Sequence, residues 1–257
     1  MLIDTHCHLD DEKFDLDRET IINSLQENNI KFVINAGADF NSSKQALQLS
    51  GLYENVYCTL GQHPQGCEYY NSEFSEFIKL NATNKKVVAI GEIGLDYYYL
   101  ISPKEVQKEV FIKQLKLANS LNLPVVLHIR DAWGDALEIL RSNKNLLANG
   151  GVVHCFSGSL EIAKELLNMG FYLGFDGPVT YKNAGKILDI IKEVPLNRIF
   201  IETDCPYLTP QAFRGEKNQP KFVKYVAEKI CEIKNISLAD FEKQLEINVK
   251  NLYKKIK

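Results

Sequence analysis

Short apolar runs recur through this chain, and nearly every one is followed by a stretch with helical spacing. The runs open at Leu2 and Ile3 and then occupy residues 31–37, 56–61, 87–90, 125–129, 151–156, 171–175 and 198–203. They do not alternate polar with apolar, which marks strands buried on both faces of a parallel sheet. Between them, apolar residues return at helical spacing over 15–29, 42–52, 74–80, 103–122, 135–148, a segment ending near Gly170, and 184–194. Pro103 suits a first helical turn, where its missing donor is not needed. Two further helices follow, over 219–234 and after Ser237, which with Asp240 resembles a capping pair. Eight such units in 257 residues predict one domain over 1–257, a (β/α)8 TIM barrel with an extra C-terminal helix. A doubly wound open sheet is the alternative. The chain lacks a Gly-x-Gly-x-x-Gly turn after the first strand, which weakens the nucleotide-binding form of that alternative.

The barrel reading gives the polar residues a meaning. His6 and His8 are two apart on the first strand, so both imidazoles can face one side of the backbone. All five histidines, His6, His8, His63, His128 and His154, fall at the carboxyl ends of expected strands. Glu92 and Asp204 hold the same kind of position on the fourth and eighth. In a closed barrel those ends converge on one mouth, and a packed core has no reason to gather every histidine there. Four imidazoles and two carboxylates suffice for two divalent ions. A close pair of cations needs an anion between them, and Glu92, on the strand between the two histidine groups, is the expected bridge. His6, His8, Glu92 and Asp204 are expected to hold one ion, and Glu92, His128 and His154 the other. A water shared by such ions becomes a nucleophile near neutral pH, with Asp204 as acceptor of its proton. Strand parity turns Cys7, Cys155 and Cys205 towards the helices and puts Asp4 and Glu202 on the ligand face, where they would orient imidazoles.

Composition narrows the setting. The formal net charge of -3 gives no bulk basic character, so nucleic-acid binding would need a local basic patch. The six cysteines form no Cys-x-x-Cys pair and read as free thiols. The chain enters a strand at once without a signal-like segment, and no apolar run approaches the roughly 20 residues that span a membrane. A cytoplasmic protein with no membrane association and no obligate protein partner is expected.

The strings Asp4-Thr5-His6-Cys7-His8, Gly91-Glu92-Ile93-Gly94-Leu95-Asp96-Tyr97, His128-Ile129-Arg130-Asp131-Ala132, His154-Cys155-Phe156-Ser157-Gly158 and Glu202-Thr203-Asp204-Cys205-Pro206-Tyr207-Leu208 together resemble the TatD family of metal-dependent deoxyribonucleases. The likeness runs from the first strand to Asn248. It implies an amidohydrolase-type barrel that cleaves DNA phosphodiesters, often as a 3′ to 5′ exonuclease. It also implies His6, His8, Glu92, His128, His154 and Asp204 as metal ligands, with Mg or Mn the working ions and Zn or Ni carried by a purified sample. Gln65, where many members have a histidine, and Gln219, where a glutamate is usual, depart from the pattern and bear on substrate contacts.

Substrate contacts are expected from the remaining residues at the mouth. His63 is assigned to the scissile phosphate as a hydrogen-bond donor, alongside Asp204 and Glu92 as catalytic residues. Arg130, Arg214, Lys217, Lys221 and Lys224 are candidates for local positive surface. Tyr97, Tyr98, Tyr99 and Trp133 are placed to stack on unpaired bases of single-stranded DNA or 3′ ends, or to pack the loops. Rival readings are an amide, ester or lactone hydrolase on the same scaffold, including a D-aminoacyl-tRNA deacylase, and a metal-holding scaffold protein. A carboxylated lysine on strand four would favour the first rival, and Glu92 stands there instead.

Overall fold

The computed structural model describes residues 1–257. Eight parallel strands follow one another in sequence order: β1 Leu2–Cys7, β2 Ile30–Ala36, β3 Val56–Leu60, β4 Val87–Asp96, β5 Val125–Arg130, β6 Gly151–Val153, β7 Tyr172–Phe175 and β8 Ile199–Ile201. Helices α1 Arg18–Asn23, α2 Phe40–Leu52, α3 Ser72–Asn81, α4 Lys104–Ser120, α5 Trp133–Ser142, α6 Leu160–Asn168 and α7 Gly185–Glu193 separate them, with α8 Val223–Lys234 and α9 Leu238–Leu252 after β8. This is a (β/α)8 barrel with an added C-terminal helix. Strands and helices share one apolar core that includes Ile3, Leu60, Ile90, Leu127, Phe175 and Phe200. None of the helices is long and apolar enough to cross a membrane.

The seam between β1 and β8 closes through a mixed set of bonds. The His8 amide donates to the Cys205 carbonyl at 2.8 Å and the Asp204 amide to the His6 carbonyl at 2.9 Å. Asp4 accepts from the Thr203 hydroxyl at 2.6 Å and from its amide at 3.0 Å. Three proposed ligands, His6 and His8 from one strand and Asp204 from beyond the other, are therefore laid side by side by the act of closing the barrel. At the far end α9 is capped by Ser237, whose hydroxyl accepts from the Asp240 amide at 3.1 Å. Asn248 on α9 donates to the carbonyls of Leu196 and Ile199 at 2.9 Å, fastening the helix beside β8.

Four expectations shift. The helix expected over 15–29 is only Arg18–Asn23; Leu16 points to solvent, and the Ser24 hydroxyl and Asn28 amide bond back to the Ile21 and Ser24 carbonyls. The fifth helix stops at Ser142 and is followed by a single 3-10 turn at Lys144–Leu146. The helix expected from Gln219 begins at Val223, after a 3-10 turn at Pro220–Phe222. β4 runs to Asp96 rather than Ile90, because residues 93–96 pair in register with 127–130 of β5.

Candidate metal centre

Five of the six proposed ligands stand at or just beyond the carboxyl end of a strand, and Glu92 lies within the second half of β4. His8 donates from Nδ1 to the Ala36 carbonyl at the end of β2, 3.0 Å away, which leaves its Nε2 facing the mouth. There it lies 3.3 Å from Nε2 of His6. Asp204 Oδ1 is 3.6 Å from His6 Nε2 and 3.3 Å from His8 Nε2. Glu92 divides its two oxygens. Oε2 lies 3.4 Å from His6 Nε2 and 3.6 Å from His8 Nε2. Oε1 lies 2.8 Å from both His128 Nδ1 and His154 Nε2, and 3.6 Å from His63 Nε2. Four donors bonded tetrahedrally at about 2.1 Å stand about 3.4 Å apart. The spacings of His6 and His8 to each other and to the oxygens of Glu92 and Asp204 run from 3.3 to 3.6 Å, and His6, His8 and Glu92 come together closely enough to hold an ion. The His128, His154 and Glu92 donors are closer, at 2.8 to 3.1 Å, the spacing of a hydrogen-bonded cluster.

The electrostatics suit a cation. Glu92, Asp204 and Asp96 meet only imidazoles as basic partners, with neither Lys nor Arg among them. Burial works to raise the Glu92 carboxyl, but the charge of His154 and the hydrogen bonds from His128 and His154 hold it well below the usual carboxylate range. Burial likewise opposes a charge on His8, yet the adjoining Asp204 carboxylate pushes it up to about 10. His154 is raised well above its usual value against burial, by Glu92 and Glu202. His128 is raised, against burial, by Asp96 and Glu92. His6 and His63 go the other way, lowered first by burial and then by neighbouring imidazolium charge, His63 to about 3.

Protons on His8 and His154 thus balance the buried acids, and a divalent ion must displace them. His8, raised to about 10, and His154, raised well above its usual value, hold protons at neutral pH and release them on binding. Affinity for Zn is therefore expected to tighten steadily as the pH rises from about 6 to about 9. Calorimetric titration in buffers of different ionisation enthalpy measures both the affinity and the protons released. A pH-independent affinity with no proton release would show that the imidazoles are already neutral.

Around the proposed ligands Glu202 lies where strand parity puts it, while Asp4 and Cys155 do not. Glu202 lies 3.5 Å from His154 Nδ1, an ion-pair distance, and also accepts the Cys155 amide. Asp4 touches no imidazole. A register shift between Asp4 and Cys7 breaks the alternation of β1, so Asp4 groups with the buried thiols of Cys7 and Cys205 and ties the seam. Cys155 also escapes parity: β6 ends at Val153 and Cys155 takes φ +44°, which sets its thiol beside Asp176 instead of out towards the helices.

Asp96 is a residue that the sequence reading left without a role. Its Oδ2 lies 3.3 Å from His128 Nε2 and accepts from the Gln65 side chain at 2.9 Å, so it holds the imidazole with Nδ1 towards Glu92. The signal was spacing: on an unbroken β4, residues 92, 94 and 96 share a face.

The expected substrate residues stand outside the ligand cluster, apart from His63. Arg130 lies over the Tyr98 ring at 4.0 Å, and Arg214 over the Tyr181 ring at 4.8 Å. Lys217 is bound to Asp17 at 2.7 and 2.8 Å and is not free for a phosphate. Lys221 and Lys224 lie against the rings of Phe222 and Tyr225.

A family model described as TatD related DNase matches residues 3–254. The metal-dependent hydrolase YabD of Bacillus subtilis is 43% identical over 254 residues, covering 99% of each chain. The metal-dependent hydrolase YcfH of Escherichia coli is 37% identical over 256 residues, covering 98% of this chain and 95% of that one. Among solved structures, the TatD homolog YjjV of Escherichia coli superposes with a TM-score of 0.92 at 32% identity, over 98% of both chains.

Proposed function

Since this chain belongs to the TatD-related DNase family of metal-dependent hydrolases, we propose that it is a phosphodiesterase that shortens DNA from the 3′ end. His6, His8, Glu92 and Asp204 would hold one divalent ion and Glu92, His128 and His154 a second, Mg or Mn in the working enzyme. The observation that carries this reading is the division of Glu92, with one oxygen turned to each pair of imidazoles. A carboxylate shared in this way suits a pair of ions better than one. Such ions supply a lowered pKa to a reacting water and positive charge beside the phosphorus.

The chain's own residues account for the rest. Asp204, held below the usual carboxylate range by His8 and its imidazole neighbours despite burial, is ready to take up a proton from the attacking water. His63 accepts the Gln65 amide at Nδ1, 3.2 Å away, so its own proton sits on Nε2 and points into the site. That makes it a donor to a phosphate oxygen and a poor ligand. Burial and His128 keep it neutral, at about 3, so this donor does not change state across the working pH range. His63→Ala is expected to lower kcat by about 10²- to 10³-fold while ion content stays at the wild-type level. Steady-state kinetics with atomic emission on the same sample checks both; a variant that loses its ions would instead make His63 a ligand.

The reading is tested with a metal-depleted preparation given back Mg, Mn or Zn and offered end-labelled single- and double-stranded DNA and a generic carboxylic ester. Stepwise loss of nucleotides from the 3′ end is expected. Turnover of the ester with DNA left intact would favour the amide and ester hydrolase instead.

A further inference from the structure

Four consecutive large apolar side chains stand in solvent beside the metal centre. Tyr98 is 59% exposed, Tyr99 56%, Leu100 45% and Ile101 63%. Such a run costs solvation and is seldom kept without a use. It is also fixed in place. Asp96 Oδ1 accepts the amides of Tyr98 and Tyr99 at 3.0 and 3.1 Å, and the buried Ser102 at the far end bonds to the Gln65 carbonyl at 3.1 Å. The other oxygen of the same Asp96 faces His128. One carboxylate thus sets both the ledge and a proposed ligand.

The neighbouring aromatics are already engaged. The Tyr97 hydroxyl donates to Asp135 at 2.6 Å, and Trp133 packs on Phe156. Tyr98 and Tyr99 meet edge to face at 4.9 Å, and the Arg130 guanidinium covers one face of Tyr98 at 4.0 Å while the ring keeps most of its surface in water. A flat cation stacked on a flat ring, both at the rim of a phosphodiesterase site, offers a platform for an aromatic ring and donors for the phosphate attached to it.

Resting on the phosphodiesterase reading, we propose that Tyr98 and Tyr99, with Arg130, form a shelf on which an unpaired nucleobase next to the scissile phosphate stacks. The substrate is then single-stranded or frayed at its end, because a base inside a duplex has both faces covered by its neighbours.

The test is fluorescence anisotropy of the metal-loaded protein with a phosphorothioate oligothymidylate, against the same strand carrying reduced abasic nucleotides at its last positions. Wild type is expected to bind the base-bearing strand about tenfold or more tightly than the abasic one, and Tyr98→Ala to erase that difference. Tyr98→Trp should restore it, which separates stacking from misfolding. Arg130→Gln should weaken both strands alike and flatten the salt dependence. Equal affinity of wild type for the two strands, or a Tyr98→Ala effect confined to oligomer mass, would overturn the shelf. Should DNA still be cleaved in that case, the phosphodiesterase reading survives. Should base discrimination hold in a protein that cleaves no DNA, that reading falls and the shelf stands.

Discussion

Glu92→Gln is expected to remove both ion sites and lower turnover by about 10⁴-fold. Each ion is worth roughly 3 kcal/mol of transition-state charge stabilisation, and losing two at about 1.4 kcal/mol per decade gives that figure. The change adds no volume, so the barrel should fold. What it alters is the sharing of one anion: an amide offers one acceptor oxygen, while the carboxylate now faces His6 and His8 with Oε2 and His128 and His154 with Oε1. Thermal stability separates the two roles of the residue. Without added metal the variant should melt below the wild type, because the buried imidazoles lose their counter-charge, and the rise that Zn or Mn gives the wild type should vanish. His128→Ala provides the graded comparison, with the ion count falling by one and His6, His8 and Asp204 still in place. Full ion content with normal turnover in Glu92→Gln would remove the bridge, and with it the case for two ions.

The barrel was legible in the sequence because its strands are buried on both faces and read as plain apolar runs. The strand ends were not, and the histidines and acids gather at those ends. Residues 91–96 of β4 mix glycine and acid with apolar side chains and look like a turn. They remain in the strand because β5 pairs with them as far as Arg130. Ending β4 at Ile90 hides Asp96, although the spacing of 92, 94 and 96 contains it. Parity served well for Glu202, which lies beside His154, and failed for Asp4 and Cys155. Parity assumes regular backbone. β1 slips register after Asp4, while Cys155 and Asp204 adopt φ of +44° and +54°, conformations that nothing in a residue pattern announces. The gathering of histidines and acids at one mouth was legible because such residues are few and their positions coincide with strand ends. The surface cations were not, since a lysine's partner depends on contacts far along the chain, as Lys217 with Asp17 shows.

Gly94→Ala is expected to be among the most damaging small substitutions in the fold, at upward of about 4 kcal/mol. Gly94 has φ +144°, a conformation that a side chain makes strained, and its register partner on β5 is His128. A Cβ there would lie 2.0 Å from the His128 carbonyl oxygen and 3.0 Å from its carbon. These are backbone atoms and cannot rotate aside, so the strands must part at the residue that presents an imidazole to Glu92. Stability and metal binding should therefore fail together, seen as a large drop in melting temperature and loss of the ion bound through His128. Gly134→Ala is the matched control: it lies in α5 with no atom within 4 Å of an added Cβ, and should gain up to about 1 kcal/mol from helix propensity. If Gly94→Ala melted like wild type, β4 and β5 could not lie as close at His128 as this fold requires. The 2.8 Å approach of His128 to Glu92 depends on that spacing.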